Sequence, residues 1–181
     1  MNEPASQTVT KRVVIDLDRC IECGSCAAAC YYAHGAMPTV GFARSGPALL
    51  PVVCRQCKNP ACVDACPADA MVRNERGVVE RLLVKCIGCG SCARACPFGV
   101  LHNDPAGTPA GHRSADRING HQIAKCDLCA DRVTNGDGAE PRCVAACPTG
   151  ALIFDDPASA ADRGLHLLGG RVAGEDPFKR R

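Results

Sequence analysis

The residues of this chain best suited to chemistry are its sixteen cysteines, which fall into four groups of four. Cys20, Cys23, Cys26 and Cys30 are spaced C-x2-C-x2-C-x3-C, and Cys86, Cys89, Cys92 and Cys96 repeat that spacing and close with Pro97. Cys54, Cys57, Cys62 and Cys66 follow C-x2-C-x4-C-x3-C and close with Pro67. Cys126, Cys129, Cys143 and Cys147 widen the middle gap to 13 residues and close with Pro148. Three thiolates two residues apart can wrap a short loop around one corner of an iron–sulfur cube, each meeting a different iron. A three-residue step carries the fourth onto the next helical turn and points it elsewhere, and in C-x2-C-x2-C-x3-C-P runs that fourth cysteine ligates the other cluster of a pair. Sixteen thiolates then complete four sites, with none left over.

Other uses of cysteine fit less well. Structural zinc also takes four thiolates, but usually as two separated C-x2-C pairs rather than a triplet followed by a Cys-Pro step. A disulfide framework has the right parity, yet cysteines this close in sequence are poorly placed to bridge. Met1 to Thr10 is polar, with neither an apolar signal core nor a twin-arginine pair, so a reducing cytoplasm is expected. A thioredoxin-type C-x2-C lacks its βαβ context. Composition points the same way. Of the 46% hydrophobic residues, removing 16 Cys and 27 Ala leaves 41 larger apolar side chains in 181 residues. That is a thin core, and metal is expected to make up the deficit. No apolar run approaches a membrane span. A formal charge of +2 with six aromatic residues argues against nucleic-acid binding.

The elements that must position these thiols are short. Val13 to Asp16 reads as a strand leading into group one, and similar apolar runs follow the other groups: Ala70-Met71-Val72, Val100-Leu101-His102 and Ala151 to Phe154. Asn74-Glu75-Arg76-Gly77 is a turn from which Val78 to Arg81 returns as a strand. Thr39 to Pro51, with four prolines or glycines, and Asp104 to Gly120 read as loops. The stretch from Cys54 to Val100 resembles a complete bacterial two-cluster ferredoxin, with a gap of only 19 residues between its groups. Groups one and four are left to pair with each other, the strand before the first lying beside the strand after the last. The expected fold is therefore α+β: two interleaved bacterial-ferredoxin-like modules, each holding two [4Fe–4S] clusters, with short antiparallel strand pairs and long loops. The outer module takes residues 12–50 plus 121–156, the inner module 51–103, a linker loop 104–120, and a tail 157–181 that either is solvated or lies on a partner.

Taken together, the four groups resemble the four-cluster electron-transfer subunits that accompany dimethyl sulfoxide reductase, formate dehydrogenase, formate hydrogenlyase, carbon monoxide dehydrogenase and tungsten-dependent aldehyde oxidoreductase. The resemblance spans roughly Val13 to Phe154. It implies four [4Fe–4S] clusters in which three cysteines of one group share a cube with the last of the paired group. Carried over, Cys20, Cys23 and Cys26 join Cys147; Cys54, Cys57 and Cys62 join Cys96; Cys86, Cys89 and Cys92 join Cys66; and Cys126, Cys129 and Cys143 join Cys30. Tyr31 stands where a proline is expected after group one. No cysteine is replaced by tryptophan or another residue, so no [3Fe–4S] centre is expected.

The implied function is non-catalytic: an iron–sulfur wire between a larger catalytic subunit, of the molybdenum or tungsten kind, and a redox partner that is a flavin/NAD-reducing subunit or a ferredoxin. The alternative is a free polyferredoxin shuttling between several enzymes. A nucleophile–base pair, a GxGxxG and a phosphate loop are all missing from the sequence. His34, His102, His112, His121 and His166 lie outside the cysteine groups and read as surface or packing residues. Arg19, Lys85 and Lys125 each precede the first cysteine of a group, where they either ease cluster reduction or are ordinary solvated charges. Each loaded site adds a charge of about −2.

Overall fold

The computed structural model describes residues 9–34, 39–104, 122–133 and 139–167. Among the described residues, nine short strands and six short helices carry the cysteine loops. β1 (Arg12–Ile15) runs into a 3-10 turn at Leu17–Arg19, then the first cysteine loop and α1 (Ser25–Ala33). β2 (Gly41–Ser45) and β3 (Ala48–Val52) form a hairpin, followed by the second loop and α2 (Ala61–Asp64). β4 (Met71–Arg73) and β5 (Val79–Arg81) form a second hairpin, leading through a 3-10 turn at Leu83–Lys85 to α3 (Ser91–Ala95). β6 (His102–Asp104) pairs with β7 (Gln122–Ala124), and α4 (Ala130–Val133), α5 (Arg142–Ala145), β8 (Leu152–Asp155), α6 (Pro157–Asp162) and β9 (His166–Leu167) complete the order.

The chain's early and late parts meet in one sheet. β1 is the middle strand of β8-β1-β9, antiparallel to both, with Ile15 opposite Leu152 on one side and His166 on the other. Val13, Val14 and Ile15 are all buried because both faces of the strand are covered: Val13 and Ile15 join the main buried cluster, and α6 also packs on β1. α1 packs on α5, so the helix that carries Cys26 and Cys30 of group one lies against the helix that carries Cys143 of group four. In the middle of the chain α2 packs on α3, and Met71, Val79, Cys92 and Leu101 form a separate small buried group. Among the described residues, no helix is long and apolar enough to cross a membrane.

Two expectations are corrected. Thr39 to Pro51 is not a loop: five residue pairs link β2 to β3 around a turn at Gly46, whose φ of +57° suits glycine. Pro51 is tolerated because among the described residues this sheet has two strands, and an edge strand can spare a donor. The chain is also not a tail from 157 onward. Asp156 caps α6 by accepting the Ala158 N–H at 3.0 Å, Pro157 sits in the first turn, and β9 then adds the third strand. The remainder of the expected tail, and residues 105–120 of the expected linker, lie outside the described residues. Smaller shifts occur at the strands: the one expected over Val100-Leu101-His102 begins at His102, and Val100 and Leu101 are buried instead.

Candidate metal centres

Groups one and three are near-copies displaced by 66 residues, Leu17-Asp-Arg-Cys-Ile-Glu-Cys-Gly-Ser-Cys against Leu83-Val-Lys-Cys-Ile-Gly-Cys-Gly-Ser-Cys. In both, a 3-10 turn delivers the first cysteine and a left-handed glycine (Gly24, φ +75°; Gly90, φ +72°) caps the following helix, so the third cysteine enters its first turn. Cys23 Sγ lies 3.3 Å from Ser25 Oγ and Cys89 Sγ lies 3.4 Å from Ser91 Oγ. These hydroxyls pull both exposed thiols below their ordinary pKa. Groups two and four instead use a proline at the helix start, Pro60 before α2 and Pro141 before α5, to set Cys62 and Cys143 in a single helical turn.

The four C-x2-C loops share one backbone device. The residue before the second cysteine has positive φ in every loop: Glu22 (58°), Gln56 (50°), Gly88 (70°) and Leu128 (61°). Only one of the four is glycine, and holding an L-residue there costs about 1–2 kcal/mol. Such strain persists where the surroundings over-determine it, as at ligand-holding loops. Here it reverses the chain so that both cysteines of a pair aim to the same side.

The thiols converge in sets of four. One cavity is lined by Cys20, Cys23, Cys26 and Cys147, under Ile21, Phe42 and Pro51. A second is lined by Cys54, Cys57, Cys62 and Cys96, with Lys125, and with Phe98 carrying the Arg55 guanidinium 4.5 Å from its ring centre. A third is lined by Cys66, Cys86, Cys89 and Cys92. The remaining four are deepest. Burial pushes the Cys143 thiol up strongly, and Cys126, Cys129 and Cys30 push it further, with Cys26 from the neighbouring set adding to them. Burial likewise pushes Cys126 up to about 12, helped by Cys54, while Lys125 opposes. Cys26 and Cys62 are raised to about 11 for the same first reason.

This donor set fits iron–sulfur cubes. It is all sulfur and soft, and thiols so packed cannot ionise together without cationic metal between them. Backbone and side-chain donors already face the sulfurs: Thr39 N–H and Ala70 N–H each lie 3.3 Å from Cys30 and Cys66 Sγ, and Leu128 N–H lies 3.4 Å from Cys126 Sγ. Such bonds are among the levers on cluster potential. Of the three cations singled out in the sequence, Lys125 turns inward. Its Nζ donates to the carbonyls of Val79 (2.7 Å) and Cys126 (2.6 Å) while lining the second cavity. Lys85 is exposed, and Arg19 lies against Gly150.

Three polar residues escaped sequence reasoning. Gln56, 1% exposed, donates from Nε2 to the Cys126 carbonyl and accepts the Val79 N–H at Oε1, both at 2.7 Å, tying the second cysteine loop to the fourth. A glutamine at the strained third position of C-x2-C was the available signal. Thr39 reaches Cys30 and His34 Nε2 comes within 3.8 Å of Cys129 Sγ, both from positions with no motif. His34, Asp127 and Cys129 are the one mixed donor group among the described residues, and its cysteine belongs to group four. Of the other histidines, His166 lies on β9, and His112 and His121 fall outside the described residues.

Comparison with known proteins adds lineage to geometry. A family model described as a 4Fe-4S dicluster domain matches residues 47–157, and a second, described as a 4Fe-4S binding domain, matches residues 11–32. The chain is 34% identical over 164 residues to electron transport protein HydN of Escherichia coli K12, covering 80% of this chain and 87% of that protein. It is 34% identical over 169 residues to the thiosulfate reductase electron transfer subunit PhsB of Salmonella typhi, covering 85% and 78% respectively. Over 102 residues it is 39% identical to the formate dehydrogenase iron-sulfur subunit of Haemophilus influenzae, of which it covers only 28%.

Proposed function

The chain belongs to the 4Fe-4S dicluster family of ferredoxin-type electron-transfer proteins, and from that premise we propose that it is a non-catalytic subunit carrying four [4Fe–4S] clusters between a larger catalytic oxidoreductase subunit and a redox partner. The observation that carries this is the convergence of thiols from distant groups on common cavities, Cys147 with Cys20 and Cys96 with Cys54 among them. When bound, each cluster takes up and releases one electron. The residues hold it, donate hydrogen bonds to its thiolates and screen it from water.

In this reading the ligand sets are Cys20, Cys23, Cys26 and Cys147; Cys54, Cys57, Cys62 and Cys96; Cys66, Cys86, Cys89 and Cys92; and Cys30, Cys126, Cys129 and Cys143. The inner module is residues 51–103, and the outer module is 12–50 plus 121–156, continued by α6 and β9 to Leu167. Pairing of β1 with β8 and packing of α1 on α5 support the interleaving. The sets also have an order. Cys26 is an electrostatic neighbour of Cys143, Cys126 of Cys54, and α2 packs on α3, so the row runs from the Cys20 set through the Cys126 set and the Cys54 set to the Cys86 set. The catalytic partner is a molybdenum or tungsten oxidoreductase, the acceptor a flavin/NAD-reducing subunit or a ferredoxin, and a reducing cytoplasm suits sixteen thiolate ligands.

Native mass analysis and metal content test the reading. The chain should purify with a larger molybdenum- or tungsten-containing subunit and hold iron and acid-labile sulfide near sixteen each per chain; a lone chain, or iron near eight, would sink it. Pairing is tested separately: Cys66→Ser should alter the EPR signal of the Cys86 set, and Cys30→Ser that of the Cys126 set. A serine ligand that altered only its own group's triplet would reverse the assignment.

A further inference from the structure

The two exposed ends of the row are copies in backbone and opposites in charge. Over residues 16–30 the first loop carries Asp16, Asp18 and Glu22 against Arg19, a net charge of −2, whereas residues 82–96 carry Lys85 and Arg94, a net charge of +2. The substitutions fall on matching positions: Asp18 corresponds to Val84, Glu22 to Gly88 and Ala28 to Arg94. The cations of the third loop surround its thiols. Arg94 donates to the Cys89 carbonyl (3.2 Å) and to Ser91 Oγ (3.1 Å), Arg81 Nη1 lies 4.0 Å from Cys86 Sγ, and Lys85 is exposed beside Cys86. Two exposed carboxylates, Asp64 and Asp69, flank Cys66 in sequence against the three cations Arg81, Lys85 and Arg94, which leaves the surface net positive.

Within that basic rim lies an apolar platform. Val84 is 86% exposed, Ile87 52% and Leu83 37%, on the turn and loop that deliver Cys86 and Cys89. Exposed apolar residues ringed by polar ones mark protein contacts, and a charged rim steers a partner of opposite sign, raising association rates by about 10- to 1,000-fold. We propose that the Cys86–Cys92 end is the docking surface for a small acidic electron-carrier protein, one whose redox group lies among carboxylates around an apolar contact. The proposal rests on the electron-transfer reading above and adds which end such a carrier uses. The acidic Cys20 end repels the same partner, so the two ends are kept apart electrostatically.

The test is stopped-flow oxidation of the reduced, cluster-loaded protein by oxidised flavodoxin, an acidic carrier. One electron leaves the protein and converts the flavin to its semiquinone, which takes a proton from water. A neutral quinone serves as a second acceptor. The wild-type rate with flavodoxin should fall as salt rises, because ions at 0.1 M screen charges beyond about 10 Å. Lys85→Glu with Arg94→Glu should slow it at low salt at least tenfold more than it slows the quinone reaction, whereas Asp18→Lys should not separate the two acceptors. If the double variant fails to load clusters, the Lys85→Gln, Arg94→Gln pair should still slow flavodoxin about threefold, and the wild-type salt dependence needs no variant. A salt-independent rate, a double variant as fast as wild type, or a loss confined to Asp18→Lys would each overturn the docking site while the quinone reaction left the electron-transfer reading standing. Failure of the reduced protein to pass electrons to either acceptor would bring down that reading itself.

Discussion

The segment around groups two and three and the pieces around groups one and four use the same cysteine grammar and end up in different environments. The middle segment is local: its cysteines lie within 43 consecutive residues, its strands form a hairpin, and of its eight thiols only Cys92 is fully buried. The outer pieces meet across more than a hundred residues, through Ile15 opposite Leu152, and five of their eight thiols are buried: Cys26, Cys30, Cys126, Cys129 and Cys143. Burial follows closure. A late strand added to an early one covers what lies between, and Val40, Val53 and Val78 from the middle of the chain pack into the same buried group as Val13 and Ile15. Motif spacing thus decides which thiols can share a site, and connectivity decides how dry that site becomes.

The largest expected effect would erase the difference between the two regions. Stripping iron with a chelator under reducing conditions should abolish cooperative unfolding in both, because sixteen unligated thiols replace the metal that supplements a thin apolar core. Circular dichroism melts report this, and a cooperative, native-like melt of the metal-free chain would show that the hydrocarbon core suffices. Next, Ile15→Ala and Met71→Ala each empty a fully buried site and should cost about 2–5 kcal/mol. Hydrogen exchange should locate the first loss in β1, β8 and β9 and the second in β4 and β5; a shared pattern would mean that neither region opens locally without the other.

The seam comes third. Gln56→Leu keeps the size but leaves the Val79 N–H without its partner, while Lys125 still serves the Cys126 carbonyl, and should cost about 1–3 kcal/mol. Two-step denaturant unfolding of this variant, where wild type shows one step, would mark Gln56 as what couples the regions. The smallest effect belongs to the outer pieces alone. Asp131→Asn removes a bidentate pair with Arg142 (2.6 and 2.9 Å) joining α4 to α5, an exposed bridge of about 0–1 kcal/mol. The hydrogen bonds from Arg142 hold the Asp131 carboxyl below its ordinary range. Its contribution is therefore complete above about pH 4 and fades as pH falls below that. Wild-type and Asp131→Asn midpoints should differ at pH 7 and converge in acid.

Much of this was legible in the cysteines, because ligand spacing is a local geometric demand that leaves its mark in sequence. The Asn74–Gly77 turn and the strand after it were legible for the same reason: Asn74 Oδ1 accepts the Arg76 and Val78 N–H groups, a local bond that Asn and Asp side chains favour. The β2–β3 hairpin was not, since its prolines and glycines look like loop residues unless the sheet is known to stop at two strands. β9, two residues long, exists only because β1 offers it a free edge, and nothing local announces that. Gln56 was hidden differently: its bonds go to Cys126 and Val79, partners that only the folded chain brings near.

The nesting of early and late pieces around the middle has a consequence in time. A ribosome releases the eight thiols of the middle segment by residue 96, but Cys143 and Cys147 come about fifty residues afterwards. At 5–20 residues per second that is an interval of about 3–10 s. In the proposed pairing, the nascent chain then holds two complete thiol sets, while the set of Cys20, Cys23 and Cys26 lacks only its closing cysteine. That pairing therefore sets an earliest order for cluster delivery, the middle sites first, and under it oxygen exposure during synthesis should damage the outer sites more than the inner ones.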